Sequence, residues 1–120
     1  MSARPSDLAA TLVARRRLAR ERDRARATGL RERLRGAAAH LRREGRLDAA
    51  WLVGSLRWGG FGERSDVDVV ARGVDAARVG AVWVDLVDAL DARVDLLRFE
   101  DLSEGFRRRV LAEGERLDEP

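Results

Sequence analysis

Five apolar residues, Ala49 to Val53, run without interruption into Gly54-Ser55, and after ten more positions the chain reads Asp66-Val67-Asp68. No other stretch constrains the fold as tightly. A short run with no polar position suits a strand buried on both faces, which needs a covering layer on each side. Val67 to Ala71 reads as its partner. Residues two apart on a strand leave the same face, so Asp66 and Asp68 are expected side by side, with Val67 and Val69 packed inward and Val70 on the acidic face. Gly54 through Ser65 contains four glycines and reads as a loop, or a loop with a short helical turn.

Helical patterns surround this pair. Pro5-Ser6-Asp7 opens a first helix with Ser6 or Asp7 as N-cap, and Leu8, Leu12 and Val13 begin an apolar stripe. Arg15 to Arg26 is too charged to bury more than a narrow face, and Thr28-Gly29 predicts a break or kink. Leu30, Leu34, Ala37, Ala38 and Leu41 then give a second helix its core face, with Gly45 as the stop signal. Val79, Val82, Trp83, Leu86, Val87 and Leu90 trace a strongly amphipathic helix. Arg93 to Phe99 reads as a third strand. Asp101 and Glu104 resemble a capping box for a last helix, which carries Leu102, Phe106 and Val110 on one face and ends near Gly114. Helices mixed with three strands predict an α/β (α+β) fold with no internal repeat.

At 120 residues the chain has room for one hydrophobic core. It has no cysteine, which excludes disulfides and thiolate metal sites, and no apolar run long enough to span a bilayer, so a cytoplasmic protein is expected. All 24 basic residues are Arg, so the net charge of +3 persists to high pH and the sequence pI of about 11.0 signals no histone-like character. Distribution is more telling than the total. Residues 1–46 hold 14 Arg against 5 acids, and residues 47–120 hold 10 Arg against 16 acids. A basic arm of this kind suits RNA, nucleotide phosphates or an acidic partner; a solvated Arg-rich helix fits the same composition.

Two neighbouring carboxylates repel each other unless a cation sits between them, and Mg²⁺ favours such oxygen ligands. Alternating acids on an exposed strand are the plainer alternative, and Asp-x-Asp alone is a weak signal. Gly54 at a strand end lets the backbone approach a ligand closely, where the Ser55 hydroxyl can meet phosphate oxygens. Asp95 offers a third carboxylate from an otherwise apolar strand, against the alternative of a salt bridge to Arg93 or Arg98. His40 has no ligand pattern around it and reads as a surface or helix-packing residue.

Gly-Ser, ten residues, Asp-x-Asp and a later strand aspartate together resemble the DNA polymerase beta-type nucleotidyltransferase superfamily. The nearest resemblance is to the minimal nucleotidyltransferases, often antitoxin partners of HEPN toxins. Gly59 and Ser65-Asp66-Val67-Asp68 fall on that family's pattern, and the resemblance covers roughly residues 30–115.

The resemblance implies a small mixed sheet flanked by helices, a polymerase beta-like palm spanning 30–120, preceded by a basic helical extension over 1–29. It implies that Gly54, Ser55 and Ser65 hold nucleotide phosphates and that Asp66, Asp68 and Asp95 ligate two Mg²⁺ ions, with Asp95 as or beside the base. Trp58 stands where many relatives carry Arg, so Arg57 and Arg64 become the candidates for neutralising the triphosphate, and Trp58 is expected to pack on the sheet rather than stack on a base. The implied activity is transfer of AMP from ATP to a hydroxyl of a HEPN-type toxin. Transfer to a small aminoglycoside-like molecule or to RNA, and a non-catalytic toxin-masking module, are the alternatives.

Overall fold

The computed structural model describes residues 5–62 and 64–120, except for the side chains of Pro5 and Ser6. Helix α1 (Pro5–Arg43) is followed by strand β1 (Ala49–Val53), the single-turn helix α2 (Ser55–Trp58) and strand β2 (Val67–Arg72). Helix α3 (Val79–Leu90) leads to strand β3 (Val94–Arg98), a 3-10 turn (Phe99–Asp101), helix α4 (Glu104–Glu113) and the short strand β4 (Glu115–Arg116).

The strands form one mixed sheet in the order β3-β2-β1-β4. β1 pairs antiparallel with β2 and with β4, while β2 and β3 run parallel, with α3 as the crossover between them. Every residue of β1 is buried, as its apolar run requires of a strand covered on both sides. On one face Leu52, Val67, Val69 and Ala71 pack with Leu30, Leu34, Ala38 and Leu41 of α1 and Val82, Leu86 and Leu90 of α3. On the other, Trp51, Val53 and Val70 meet Val110 of α4, with Phe99, Leu102 and Phe106 at its margin. Val67 and Val69 thus pack inward, with Val70 on the opposite face.

The largest departure from the sequence reading is at Thr28-Gly29, where no break occurs. α1 continues for 39 residues. The Thr28 hydroxyl is satisfied inside the helix by donating to the Arg24 carbonyl at 3.0 Å. Gly29 costs a helix about 1 kcal/mol relative to Ala, which the burial of Leu30 and Leu34 in the following turns offsets. The helix already includes Pro5, so Asp7 lies in its first turn rather than capping it, and the side chain of Ser6 lies outside the described residues. Leu8, Leu12, Val13 and Leu18 are all exposed, so that half of α1 projects from the sheet and gives the molecule its 64 Å long axis.

Gly45 does terminate α1. It adopts φ +71°, the Arg46 amide donates to the Leu41 carbonyl, and the Gly45 amide donates to Arg42, which is a Schellman motif. The N-cap of α4 is Ser103, whose hydroxyl accepts from the Phe106 amide at 3.2 Å. Asp101 is instead held in the 3-10 turn by Arg98, at 2.9 Å, so it is not the cap.

Candidate active site

The two strands of the Asp-x-Asp unit and the parallel neighbour set the site. β1 delivers Gly54 at its end; Val53 at its last position faces Asp68 across the antiparallel pair. The parallel register places Asp95 of β3 directly opposite Asp68. Asp66 lies one residue ahead of β2, continuing the same edge of the sheet. Two carboxylates neighbouring in sequence and a third from β3 therefore lie at one end of the sheet.

Gly54 is there for a steric reason. It adopts φ +71° and ψ −159°, a region essentially closed to side-chain-bearing residues. A Cβ at this position would also lie 2.0 Å from Asp68 Oδ2. The Asp68 carboxylate thus occupies the space a Gly54 side chain would need. Ser55, half-buried, follows as the first residue of α2, whose turn is closed by the Trp58 amide donating to the Gly54 carbonyl at 2.8 Å.

Electrostatics mark Asp68 as the centre of the cluster. Partial burial pushes its carboxyl above the ordinary carboxylate value, and the negative charges of Asp95 and then Asp66 push it the same way. Among the described residues no ion pair relieves it. Asp66 does have a partner: Arg93 Nε lies 3.2 Å from its Oδ1, and the Arg93 guanidinium also donates to the Arg64 carbonyl. Asp95 is exposed on the edge strand, so its apolar neighbours do not bury it. Neither arginine weighed as its partner takes it, since Arg98 binds Asp101 and the Val74 carbonyl.

Among the described residues no three acidic or imidazole side chains converge tightly enough to form a ready metal site. Mutual repulsion and the Asp66–Arg93 pair both work against such convergence. The donor set nevertheless suits a hard divalent cation. All three groups are carboxylates, and Asp68 is destabilised by negative charge that a cation would offset.

The remaining predicted residues are distributed around this cluster. The Ser65 hydroxyl accepts from the Gly62 amide at 3.1 Å and so closes the turn that feeds Asp66 into β2. The Arg64 side chain is exposed beside that turn. Arg57 Nε is held by the Glu113 carbonyl at 3.1 Å, which orients its guanidinium toward the end of α4. Trp58 does not lie on the sheet as expected. Its indole donates to the same carbonyl and its ring lies 4.0 Å beneath the Arg109 guanidinium. Arg93 is the residue the sequence reading undervalued. Parallel pairing puts position 93 beside position 66, a relation visible only once the strand register is known.

The sequence matches no protein-family model and no curated protein. Solved structures do match. A structure described as a candidate minimal nucleotidyltransferase is 26% identical with a TM-score of 0.62, over 73% of this chain and 92% of that one. A toxin–antitoxin structure with AMP-PNP is 25% identical with a TM-score of 0.58, over 69% of this chain and 71% of that one. An MntA–HepT toxin–antitoxin structure, carrying Asp→Glu changes at two positions two apart, is 25% identical with a TM-score of 0.54. That alignment covers 64% of this chain and 65% of that one, just under two thirds of its length. The structural neighbours of this chain are thus a minimal nucleotidyltransferase and toxin–antitoxin structures, and it shares the mixed sheet flanked by helices of the minimal nucleotidyltransferase fold.

Proposed function

We propose that this chain is a cytoplasmic nucleotidyltransferase that moves AMP from ATP to a hydroxyl on a partner protein, as the antitoxin of a HEPN-type toxin pair. One observation carries the reading. Gly54 yields its side-chain space to Asp68, whose register partner is Asp95, so the glycine turn and a carboxylate set adjoin at one strand end. The toxin–antitoxin neighbours, one of them with AMP-PNP, support the partner and the nucleotide.

Asp66, Asp68 and Asp95 would hold two Mg²⁺ ions. Bound Mg²⁺ supplies charge neutralisation on the triphosphate and on the entering and leaving oxygens of an in-line displacement. The protein's own groups do the rest. Gly54 admits the phosphates to the backbone, the Ser55 hydroxyl donates to a phosphate oxygen, and Arg57 and Arg64 add positive charge from the two sides of the loop. Ser65 keeps that loop closed through the Gly62 amide. Asp95, exposed at the sheet edge, takes the proton as the acceptor oxygen bonds to the α-phosphorus. The bond from that phosphorus to the bridging oxygen then breaks and pyrophosphate leaves.

Residues 30–120 would form the transferase unit and residues 1–29 an extension. The exposed arginines between Arg15 and Arg26 favour a second role for that extension in holding RNA, as partner or as alternative acceptor. Labelled ATP incubated with Mg²⁺, this protein and the product of the adjacent gene tests the transfer. Label on the partner, lost with Asp68→Asn, is the expected result. Full neutralisation of the partner by Asp66→Asn with no label transferred would instead make the protein a masking module.

A further inference from the structure

Helix α1 changes character along its length. Its carboxyl-terminal half buries Leu30, Leu34, Ala38 and Leu41 against the sheet and α3. Because the helix is unbroken, its amino-terminal half runs on past that contact instead of turning back onto the domain. Leu8, Leu12 and Leu18 on this arm are each more than half exposed. Positions 8, 12, 15, 18 and 22 follow the helical repeat, so the three leucines share one face with Arg15 and Arg22, both also exposed. The arm thus carries a face that is apolar and basic at once. Arg16, Arg17, Arg20 and Arg24 fall on its other side.

Helix α3 carries the complement. Ala81, Val84, Asp88 and Asp91, three and four residues apart, are exposed on the side away from the buried Val82, Leu86 and Leu90. Val84 is 46% exposed. The two acids stand at the carboxyl-terminal end of α3, where the helix dipole is already negative, and the last turn holds no basic residue. Nearby cations are committed elsewhere. Arg46 pairs with Asp85, and Arg93 is turned to Asp66 and the Arg64 carbonyl. Among the described residues, Asp88 and Asp91 are left with no ion pair.

RNA would account for arginines on the arm but would leave its leucines and Val84 in water, and the acids of α3 would repel it. A second copy of this chain satisfies both faces together. We infer that the arm of one copy docks along α3 of another, and that the arm of the second returns to α3 of the first. Leu8 and Leu12 cover Ala81 and Val84, while Arg15 and Arg22 bring cations to Asp88 and Asp91. α3 is only about three turns long, so one such contact is small. A two-fold pair makes the contact twice within one association event. α3 lies on the sheet face opposite Val70, so the pair leaves the Asp68–Asp95 side open. The assembly stands apart from the transferase reading.

Sedimentation equilibrium of the full chain, freed of nucleic acid, tests the pairing. Its mass should rise with concentration from the 13.4 kDa monomer toward twice that value, and fall back at high salt. Two variants then set like charges against each other. Arg15→Glu with Arg22→Glu makes arm and face both acidic. Asp88→Arg with Asp91→Asn leaves arm and face both basic, and Asn tolerates the φ of +49° at position 91. Each variant alone should stay monomeric, with a far-UV spectrum showing the arm still helical. Mixed in equal amounts they should form a heterodimer at least about tenfold tighter than either self-association, because both contacts again join opposite charges. A wild-type chain that stays monomeric at every concentration, or a mixture that associates no better than its components, would overturn the inference. So would a rise in mass that appears only when RNA is added, which would make the arm a nucleic-acid contact.

Discussion

Gly54 and Asp68 compete for one volume, and the structure gives it to the carboxylate: a Cβ on Gly54 would stand 2.0 Å from Asp68 Oδ2. The backbone strain of a side chain at φ +71° acts in the same direction. Gly54→Ala should therefore displace Asp68 and cost about 1–3 kcal/mol of stability. Urea unfolding measures the cost. An unchanged midpoint with full transferase activity would mean that the close approach has no consequence.

Asp68→Asn should separate activity from stability. The raised pKa of Asp68 means that its charged form is disfavoured in the folded state, by burial first and by Asp95 and Asp66 next. A neutral isostere removes that penalty, so the melting temperature should hold or rise slightly while transfer falls at least about a hundredfold. Thermal unfolding and label transfer on the same preparation check both halves. A marked loss of stability would show that the carboxylate is structural.

The end of the described chain supplies an acid-sensitive lock. The Asp118 side chain is fully buried and accepts from the Ala50 amide at 2.8 Å, from Arg116 Nε at 2.6 Å and from Arg42 at 2.9 Å. Burial alone would raise its pKa, but the Arg116 and backbone hydrogen bonds outweigh burial and lower it. Glu115, bound by Arg31 and Arg35, is also lowered against its own burial. Groups with depressed pKa values stabilise the fold fully above their unfolded value, near pH 4, and lose that contribution as pH falls through the folded value. Unfolding free energy should therefore decline below about pH 4, and more shallowly in Asp118→Asn.

Removing the lock outright should be costlier. Asp118→Ala leaves the buried Ala50 amide without its acceptor and the two arginines with Glu119 alone, at about 3 kcal/mol. The same unfolding experiment at neutral pH measures it, and a loss under about 1 kcal/mol would reduce the cluster to an ordinary surface network.

Gly29→Ala tests the unbroken helix. No atom lies within 4 Å of a Cβ added there, and the backbone is helical. The substitution should stabilise the protein by about 0.5–1 kcal/mol. A kinked helix with a strained Gly29 would respond in the opposite direction.

Most of the sheet could be read in advance because its signals are local. An all-apolar pentad has few folds open to it, and the period-two alternation around Asp66 and Asp68 fixes which side each carboxylate takes. The errors arise where a local signal was outweighed by packing. Thr28-Gly29 resembles a helix end, but the turns after it bury Leu30 and Leu34, and that gain holds the helix through. Asp101 and Glu104 have capping-box spacing, yet Ser103 sits where the chain enters α4. β4 is only two residues long and carries no strand pattern; pairing with β1 defines it. Trp83 fits the core period of α3 but stands at its border, where a bond to Val94 holds it half in solvent. Arg93's pairing with Asp66 needs the parallel register, which no periodicity contains.

That register has a further consequence. Gly54 and Asp68 meet through the β1–β2 pair, a unit of neighbouring segments, whereas Asp95 joins them only after the chain has travelled through α3 and returned alongside β2. A fragment ending before the crossover can carry the glycine turn and two of the acids, but not the set. Completeness of the carboxylate trio is therefore a certificate that the crossover has closed, so partly folded molecules would be inert rather than indiscriminate.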